Sequence, residues 1–242
     1  MEALIGSILK NKIKDKFSIW EYNVVQKDIS RLYDLLGTKY IRQNKLQNAL
    51  ASFKKVADTI WTSALYHYGY LDANPFYTNY YNEHSKTADD SLKFTKTTIT
   101  ETLINYLNKA SDPKIKNRAY YYFLVANCYF NMTQYGNSWM MRRYYWTRNE
   151  TKTNLEDDTE YFKCNLAKQY YLEANEVSKN KKFAALCLRM AGRCEEYKIR
   201  RNNNYKTINR YFVQIKKQYP EYYEDLISNC ESFNNYFSYK NK

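Results

Sequence analysis

Metal, redox or nucleophilic chemistry in this chain would have to be assembled from two histidines, five cysteines and the acids and hydroxyls around them. His84 lies with Glu83, Asp89 and Asp90 in one polar stretch. Imidazole and carboxylates together suit a divalent cation. Nothing in a loop fixes the spacing of those four groups, so a solvated loop is the better reading. Serine, histidine and aspartate are all present, yet His67 and His84 sit in no nucleophile context and no Gly-x-Ser-x-Gly elbow occurs. The acid pairs Asp157-Asp158 and Glu195-Glu196 are sequence neighbours, which face different sides of a helix. Neither pair is arranged for acid–base work, and helix-end or surface charge is the simpler role. Cys128, Cys164, Cys187, Cys194 and Cys230 are odd in number, include no Cys-x-x-Cys and fall in stretches that read as helical. No disulfide framework or structural zinc is expected from them. Cys187 and Cys194 share one helical face, a packing position for a small apolar side chain. There is no P-loop and no dinucleotide-binding glycine run. The sequence therefore predicts no enzyme, no metal and no cofactor.

The constellation with most binding character is Trp139, Arg142, Arg143 and Trp146. Aromatic and arginine side chains dominate binding hot spots. The competing reading is that the two tryptophans fold their own segment back onto the rest of the chain. Arg200, Arg201 and Asn202, Asn203, Asn204 make a basic turn that suits either an acidic partner or plain solvation. The formal charge is +13, which points to nucleic acid, phospholipid head groups or an acidic protein. The basic residues nevertheless fall in short separate clusters, at 10–16, 142–143, 179–182 and 198–201, rather than in one stripe. Abundant Lys, Asn, Tyr and Ile with little Ala and Gly is also what AT-rich coding would give.

The elements that must carry these residues read as helices. The chain has 242 residues, 44% of them hydrophobic, with 28 Tyr but only 5 Gly and 3 Pro. Many short strands would need more turn residues, so long helices with short connections fit better. The low mean hydropathy of -0.80 comes largely from Tyr, Asn and Lys rather than from disorder-promoting residues, and tyrosine still buries a large ring. In LYDLLGTKYIRQNKLQNALASFKKV, residues 32–56, Gly37 and Ala49 are small enough to let two antiparallel helices approach. Tyr33, Leu36, Tyr40 and Phe53 would fill the space around that contact, and RQNK would be the turn. This segment resembles a tetratricopeptide repeat, whose pattern asks for those six positions at that spacing.

A second unit is expected over 116–178. In AYYYFLVANCYFNMTQYGNSWMMRRYYW, Tyr122, Val125, Ala126 and Tyr129 mark one face and Tyr121, Leu124 and Cys128 extend it. Apolar residues nearly all round predict a helix buried on several sides. Its partner is expected only at LAKQYYLEANEV, through Ala167, Tyr171 and Ala174, after an insertion at 133–158 in which 140–146 forms a short helix. A third unit spans 181–219, with Leu188, Ala191 and Gly192 in the small-residue register and Ile208, Phe212 and Ile215 facing inward. Residues 72–90 read as loop, 91–109 as helix, and 221–237 as a terminal capping helix.

The expected fold is all-α: one array over 1–242, a short right-handed solenoid of antiparallel helix pairs with an insertion and a C-terminal cap. The first unit, 30–61, carries the specific resemblance. More loosely, NPF, FTK and the 119–139 and 183–197 stretches resemble the C-terminal part of larger uncharacterised bacterial helical-repeat proteins. In that group a Cys/His/Asp-rich segment follows NPF. Here the place reads YTNYYNEHSKTADD, with one His and no Cys, which withdraws any metal or redox role. The resemblance implies a larger parent chain or complex and a non-catalytic scaffold that binds a protein or peptide in a groove. The expected contact set is Arg42 and Asn44 at a turn, Tyr120, Asn127 and Asn131 on a polar stripe, and Trp139, Arg142, Arg143 and Trp146 in the insertion. Nucleic-acid or anionic-surface binding is the first alternative, and a carbohydrate-binding helper the second. No apolar run reaches membrane-spanning length, and the short one in ALIGSILKNK does not make a signal peptide. A complete chain would stay in the cytoplasm, whereas a piece of a longer precursor could be exported.

Overall fold

The computed structural model describes residues 1–10, 15–17, 19–20, 29–61, 71, 74–77, 94–147, 159–204, 206–223 and 226. Among these the structure is all-helical, with ten α-helices, two 3-10 turns and no strand. The helices are α1 (Glu2–Leu9), α2 (Ile29–Arg42), α3 (Leu46–Phe53), α4 (Asp58–Trp61), α5 (Lys96–Ser111), α6 (Arg118–Asn131), α7 (Glu160–Lys163), α8 (Asn165–Val177), α9 (Lys181–Arg201) and α10 (Arg210–Gln218). The 3-10 turns are Trp139–Met141 and Pro220–Tyr222. Cys230, His67, His84 with its three acids, Asp157-Asp158 and most of the expected cap at 221–237 lie outside the described residues.

Local chemistry sets the helix ends. Thr95 caps α5 through a capping box. Its Oγ1 accepts the Thr98 N–H at 3.1 Å, and Thr98 Oγ1 accepts the Thr95 N–H at 3.0 Å. This cap places the start of the helix at Lys96 rather than at the expected residue 91. Asn180 caps α9 by accepting the Phe183 N–H at 3.0 Å. Glu160 secures the start of α8, its two carboxylate oxygens accepting from Asn165 Nδ2 and the Leu166 N–H, both at 2.8 Å. Cys164, between α7 and α8, has φ of 51°, in the left-handed region.

The turns RQNK and RNNN close in the same way. Asn44 and Asn203 take φ of 55° and 51°, a region asparagine tolerates better than most residues. The Asn44 and Lys45 N–H groups donate to the Ile41 and Tyr40 carbonyls, and those of Asn203 and Asn204 to Arg200 and Ile199. Each set is the paired bonding of a Schellman motif, which satisfies the last carbonyls of α2 and α9. The chain then turns into α3 or α10, and the same nine-residue interval separates Asn44 from Phe53 and Asn203 from Phe212. Both phenylalanines are wholly buried. Phe53 lies against Gly37 and Phe212 against Gly192, so closely that a Cβ on either glycine would strike the ring. One small-on-large contact is thus built at both ends of the chain.

Packing follows chain order. α1 packs on α2, α2 on α3, α3 on α5, α5 on α6, α6 on α8, and α8 on α9, while α9 also meets α7 and α10. α6 is buried along 122–131, which matches its apolar circumference. The main core runs from Ile41 in α2 to Cys194 in α9, with a smaller cluster between α9 and α10. A third, of Ile5, Leu32 and Leu36, joins α1 to α2.

Two expectations need correction. Ile208 points outward, 64% exposed, because Asn209 takes the inward place and donates to the Gly192 carbonyl at 2.8 Å. Residues 140–146 do not form an α-helix; only the 3-10 turn Trp139–Met141 is present. Residues 133–147, the described part of the expected insertion, are pinned onto the rest of the fold. The Gln134 N–H donates to the Tyr161 carbonyl at 3.0 Å, the Ser138 N–H donates to the Asn131 carbonyl at 2.8 Å, and Met140 and Met141 are wholly buried.

Candidate functional site

The nine expected contact residues divide sharply. Asn127 is buried, its Nδ2 donating to the Phe76 carbonyl at 2.8 Å while its Oδ1 accepts from the Tyr171 hydroxyl at 2.7 Å. Asn131, one turn on, donates to the Pro75 and Tyr77 carbonyls, both at 2.8 Å. These amides stitch residues 74–77 onto α6 instead of offering themselves to a partner, as buried polar groups must be bonded. Arg143 is also buried, its guanidinium 4.3 Å from the Tyr161 ring centre and 4.9 Å from that of Phe162. Trp139 is buried, and Trp146, though 45% exposed, donates its Nε1 to the Gln134 carbonyl at 3.0 Å. The two tryptophans therefore hold their own segment down. Tyr120 remains at the surface, 42% exposed.

Arg42 and Arg142 are brought together at a junction of α2, α5, α6 and the segment after the 3-10 turn, and Asn44, exposed in its turn, reaches the same face of α6 through Tyr129. Arg42 Nη1 donates to the Arg142 carbonyl at 3.3 Å, and the Tyr129 hydroxyl donates to Asn44 Oδ1 at 2.5 Å. The Arg142 side chain is buried beside Cys128 and Tyr129, whose acidities burial weakens and the arginine charge partly restores.

At the centre of this junction is Lys96, which sequence reasoning missed. Its Nζ is wholly buried, 2.9 Å from Asp34 Oδ1 and donating at 2.7 Å to Thr38 Oγ1. The same nitrogen lies 3.4 Å from the Tyr144 hydroxyl and 4.4 Å from the centre of its ring. Burial lowers the Lys96 pKa below its ordinary value. The Asp34 charge and hydrogen bond oppose that shift, and the Arg42 charge adds to it. A lysine of depressed pKa is what amine catalysis uses, but this one is paired and closed off from solvent. It acts as a clamp between helices. One signal was available: Asp34 and Thr38 are one turn apart on the buried face of α2, so a donor had to reach them.

Glu195 and Glu196 point apart, Glu195 to Lys168 at 2.6 Å and Glu196 to Arg200 at 3.3 Å. The basic turn at 200–204 is in part an internal Schellman cap, as described above. Among the described residues no cluster of three His, Cys, Asp or Glu side chains is placed to hold a metal ion, and no helix is long and apolar enough to cross a membrane.

An open concavity among the described residues lies elsewhere, at the α1 end. α1, α2 and α3 enclose a cleft of 310 Å³ whose apolar lining includes Ile5, Leu9, Tyr33 and Leu36. Asn48, Ser52 and Lys55 from α3 and its exit supply polar groups, and Lys55 Nζ sits 5.0 Å from the Tyr33 ring centre. Gly6 opens onto this space, with nothing within 4 Å of where a Cβ would be. Leu9 at its edge is 63% exposed. Sequence reading placed Tyr33 in a helix contact and gave α1 no role, so this cleft was not foreseen. Compared with known proteins, the chain matches no family model, no curated protein and no solved structure.

Proposed function

We propose that this chain is a non-catalytic scaffold, a short tetratricopeptide-like solenoid that binds a protein or peptide partner. The reading is supported by helices that pack in chain order and by the glycine–phenylalanine contact that recurs between α2–α3 and α9–α10. The observation that carries the binding role is the α1–α2–α3 cleft, with an apolar floor between Glu2 on the α1 side and Asn48, Ser52 and Lys55 on the α3 side. It suits a partner segment that buries apolar side chains while its polar groups meet Asn48, Ser52 and Lys55. Buried rings and aliphatic side chains give such a contact most of its energy, so added salt weakens it little.

Gly6 gives a clean test. A Gly6→Trp variant places a large ring in the cleft from a position where a Cβ meets nothing within 4 Å. The immobilised chain and this variant are exposed to native lysate, washed at low and then high salt, and bound proteins are identified. Wild type should hold a defined protein set through the high-salt wash, and Gly6→Trp should lose it while melting at or above the parent temperature. Equal retention by both would remove the cleft from the binding role. Capture that disappears on the salt step would remove apolar recognition altogether.

A further inference from the structure

We infer that a second surface, at the edge where α5 ends and α6 and α9 begin, binds single-stranded nucleic acid. Aromatic rings form a continuous row there. The Tyr106 and Tyr121 centroids are 5.5 Å apart, Tyr121 and Tyr120 6.4 Å, and Tyr120 and Phe183 6.5 Å. Tyr77, 54% exposed, lies close enough to Tyr120 to raise the pKa of its phenol. Burial and the neighbouring phenols raise the pKa of Tyr106 and Tyr120, which keeps their hydroxyls protonated. Tyr77 and Tyr120 are exposed, while Tyr106, Tyr121 and Phe183 are half-buried and brace them from the core. Every nucleobase has a π-face, so the two exposed rings offer stacking that tolerates any sequence.

Cations flank the row on both sides. Lys109 reaches over the Tyr121 ring, Nζ to centroid 5.1 Å. The turn from α5 to α6 adds Lys114, Lys116 and Arg118, and the turn from α8 to α9 adds Lys179, Lys181 and Lys182. The acids in these two turns are Asp112 and Glu176, so the described part of the edge is strongly basic. Charge complementarity selects a polyanion, and the rings select one with accessible aromatic faces. A duplex hides its base faces in the stack, and an acidic peptide has no need of a ring row. The occupant that uses both features is a single strand, with phosphates on the lysines and bases on the tyrosines. This edge is built from different helices than the α1–α2–α3 cleft, so either surface can fail its test without affecting the other.

The test is fluorescence anisotropy with the full chain and a labelled oligo(dT) 15-mer at 50 and 250 mM salt. The same-length blunt duplex and poly-glutamate serve as competitors. The 15-mer should bind, weaken steeply with salt and be displaced poorly by duplex or poly-glutamate. Tyr120→Ala should weaken binding about tenfold, the loss expected for one stacked base. Lys181→Glu should reduce the salt slope, whereas Lys217→Glu on α10 should leave binding close to that of the parent. Circular dichroism confirms that each variant is folded. Absence of binding at low salt overturns the inference, as does a Tyr120→Ala variant that binds like the parent. Duplex or poly-glutamate that competes as well as the single strand does so too, since it assigns the edge to general electrostatics or an acidic protein.

Discussion

Replacing Gly37 by alanine should reveal how tightly the first helix pair is set. The new Cβ would lie 2.6 Å from Cδ1 and 2.9 Å from Cζ of Phe53. Carbon atoms rest comfortably at about 3.5–4.0 Å, so ring or helix must give by about 1 Å. The ring has little room to retreat. It is wholly buried, edge-on to Trp61 at 6.1 Å, and has the Lys96 ammonium 5.8 Å from its centre. Overpacking of this kind costs about 1–3 kcal/mol. Alanine is better than glycine in a helix by about 1 kcal/mol, which offsets part of that. The net loss is therefore about 0–2 kcal/mol, too broad to be decisive alone. A double-mutant cycle sharpens it. In a Phe53→Leu background the ring is gone, the clash is relieved, and Gly37→Ala should stabilise by up to about 1 kcal/mol. The coupling between the two positions is then about 1–3 kcal/mol. Urea denaturation of the four proteins, at a common m value, measures it. A coupling below about 0.5 kcal/mol would refute the reasoning, because the alanine would then be insensitive to the ring it is argued to strike.

Gly192→Ala should behave in the same way against Phe212, with its penalty relieved by Phe212→Leu, and calorimetry on the two variants checks it. Asn127→Ala removes the bonding partner of the Phe76 carbonyl and of the Tyr171 hydroxyl. Its urea midpoint should fall by an equivalent of about 2–6 kcal/mol, at about 1–3 kcal/mol for each of the two orphaned groups. For Lys96, folding holds the pKa below the ordinary 10.5, so the native state releases its proton at lower pH than the unfolded chain. The cost of burying the charge is present in full below the native pKa and is relieved as pH rises towards 10.5. The stability of wild type relative to Lys96→Met should therefore rise across that alkaline window. A fall in the same measurement would mean that the Asp34 pair outweighs desolvation.

Features set by short-range spacing were legible in the sequence. Gly37 and Phe53 could be paired because a small residue and a ring at that interval have a packing consequence that depends on two neighbouring helices alone. The turns at Asn44 and Asn203 could be read for the same reason, since a Schellman cap is local. Asn127, Asn131, Arg142 and Arg143 could not be placed, because their residue types describe an exposed stripe as well as a satisfied interior. What decides between the two is the chain that comes to cover them. For Asn131 this is residues 75 and 77 from well upstream, and for Arg143 it is a pair of rings from α7. Ile208 was misplaced by one position of helical phase, which Asn209 takes instead. The aromatic row on the α5–α6–α9 edge was legible only at Tyr120, since Phe183 and Tyr106 reach it from other helices.

The Lys96 junction also determines how the helical fold comes apart. In a chain of helices that touch only their neighbours, an end can peel away one unit at a time, and stability is a sum of local terms. Here Thr38 meets Tyr144 across 106 residues, Arg42 meets the Arg142 carbonyl across 100, and Asn44 meets Tyr129 across 85. α2 cannot fray without breaking these bonds and leaving a lysine charge in a core that no longer neutralises it. The stretch from α2 to α8 is therefore one cooperative unit, with backbone amides that exchange together and late. α10 is tied to that unit over shorter spans, by Asn175 donating to the Tyr219 hydroxyl and by Lys168 over the Tyr211 ring, and its amides should exchange before those of α2 to α8.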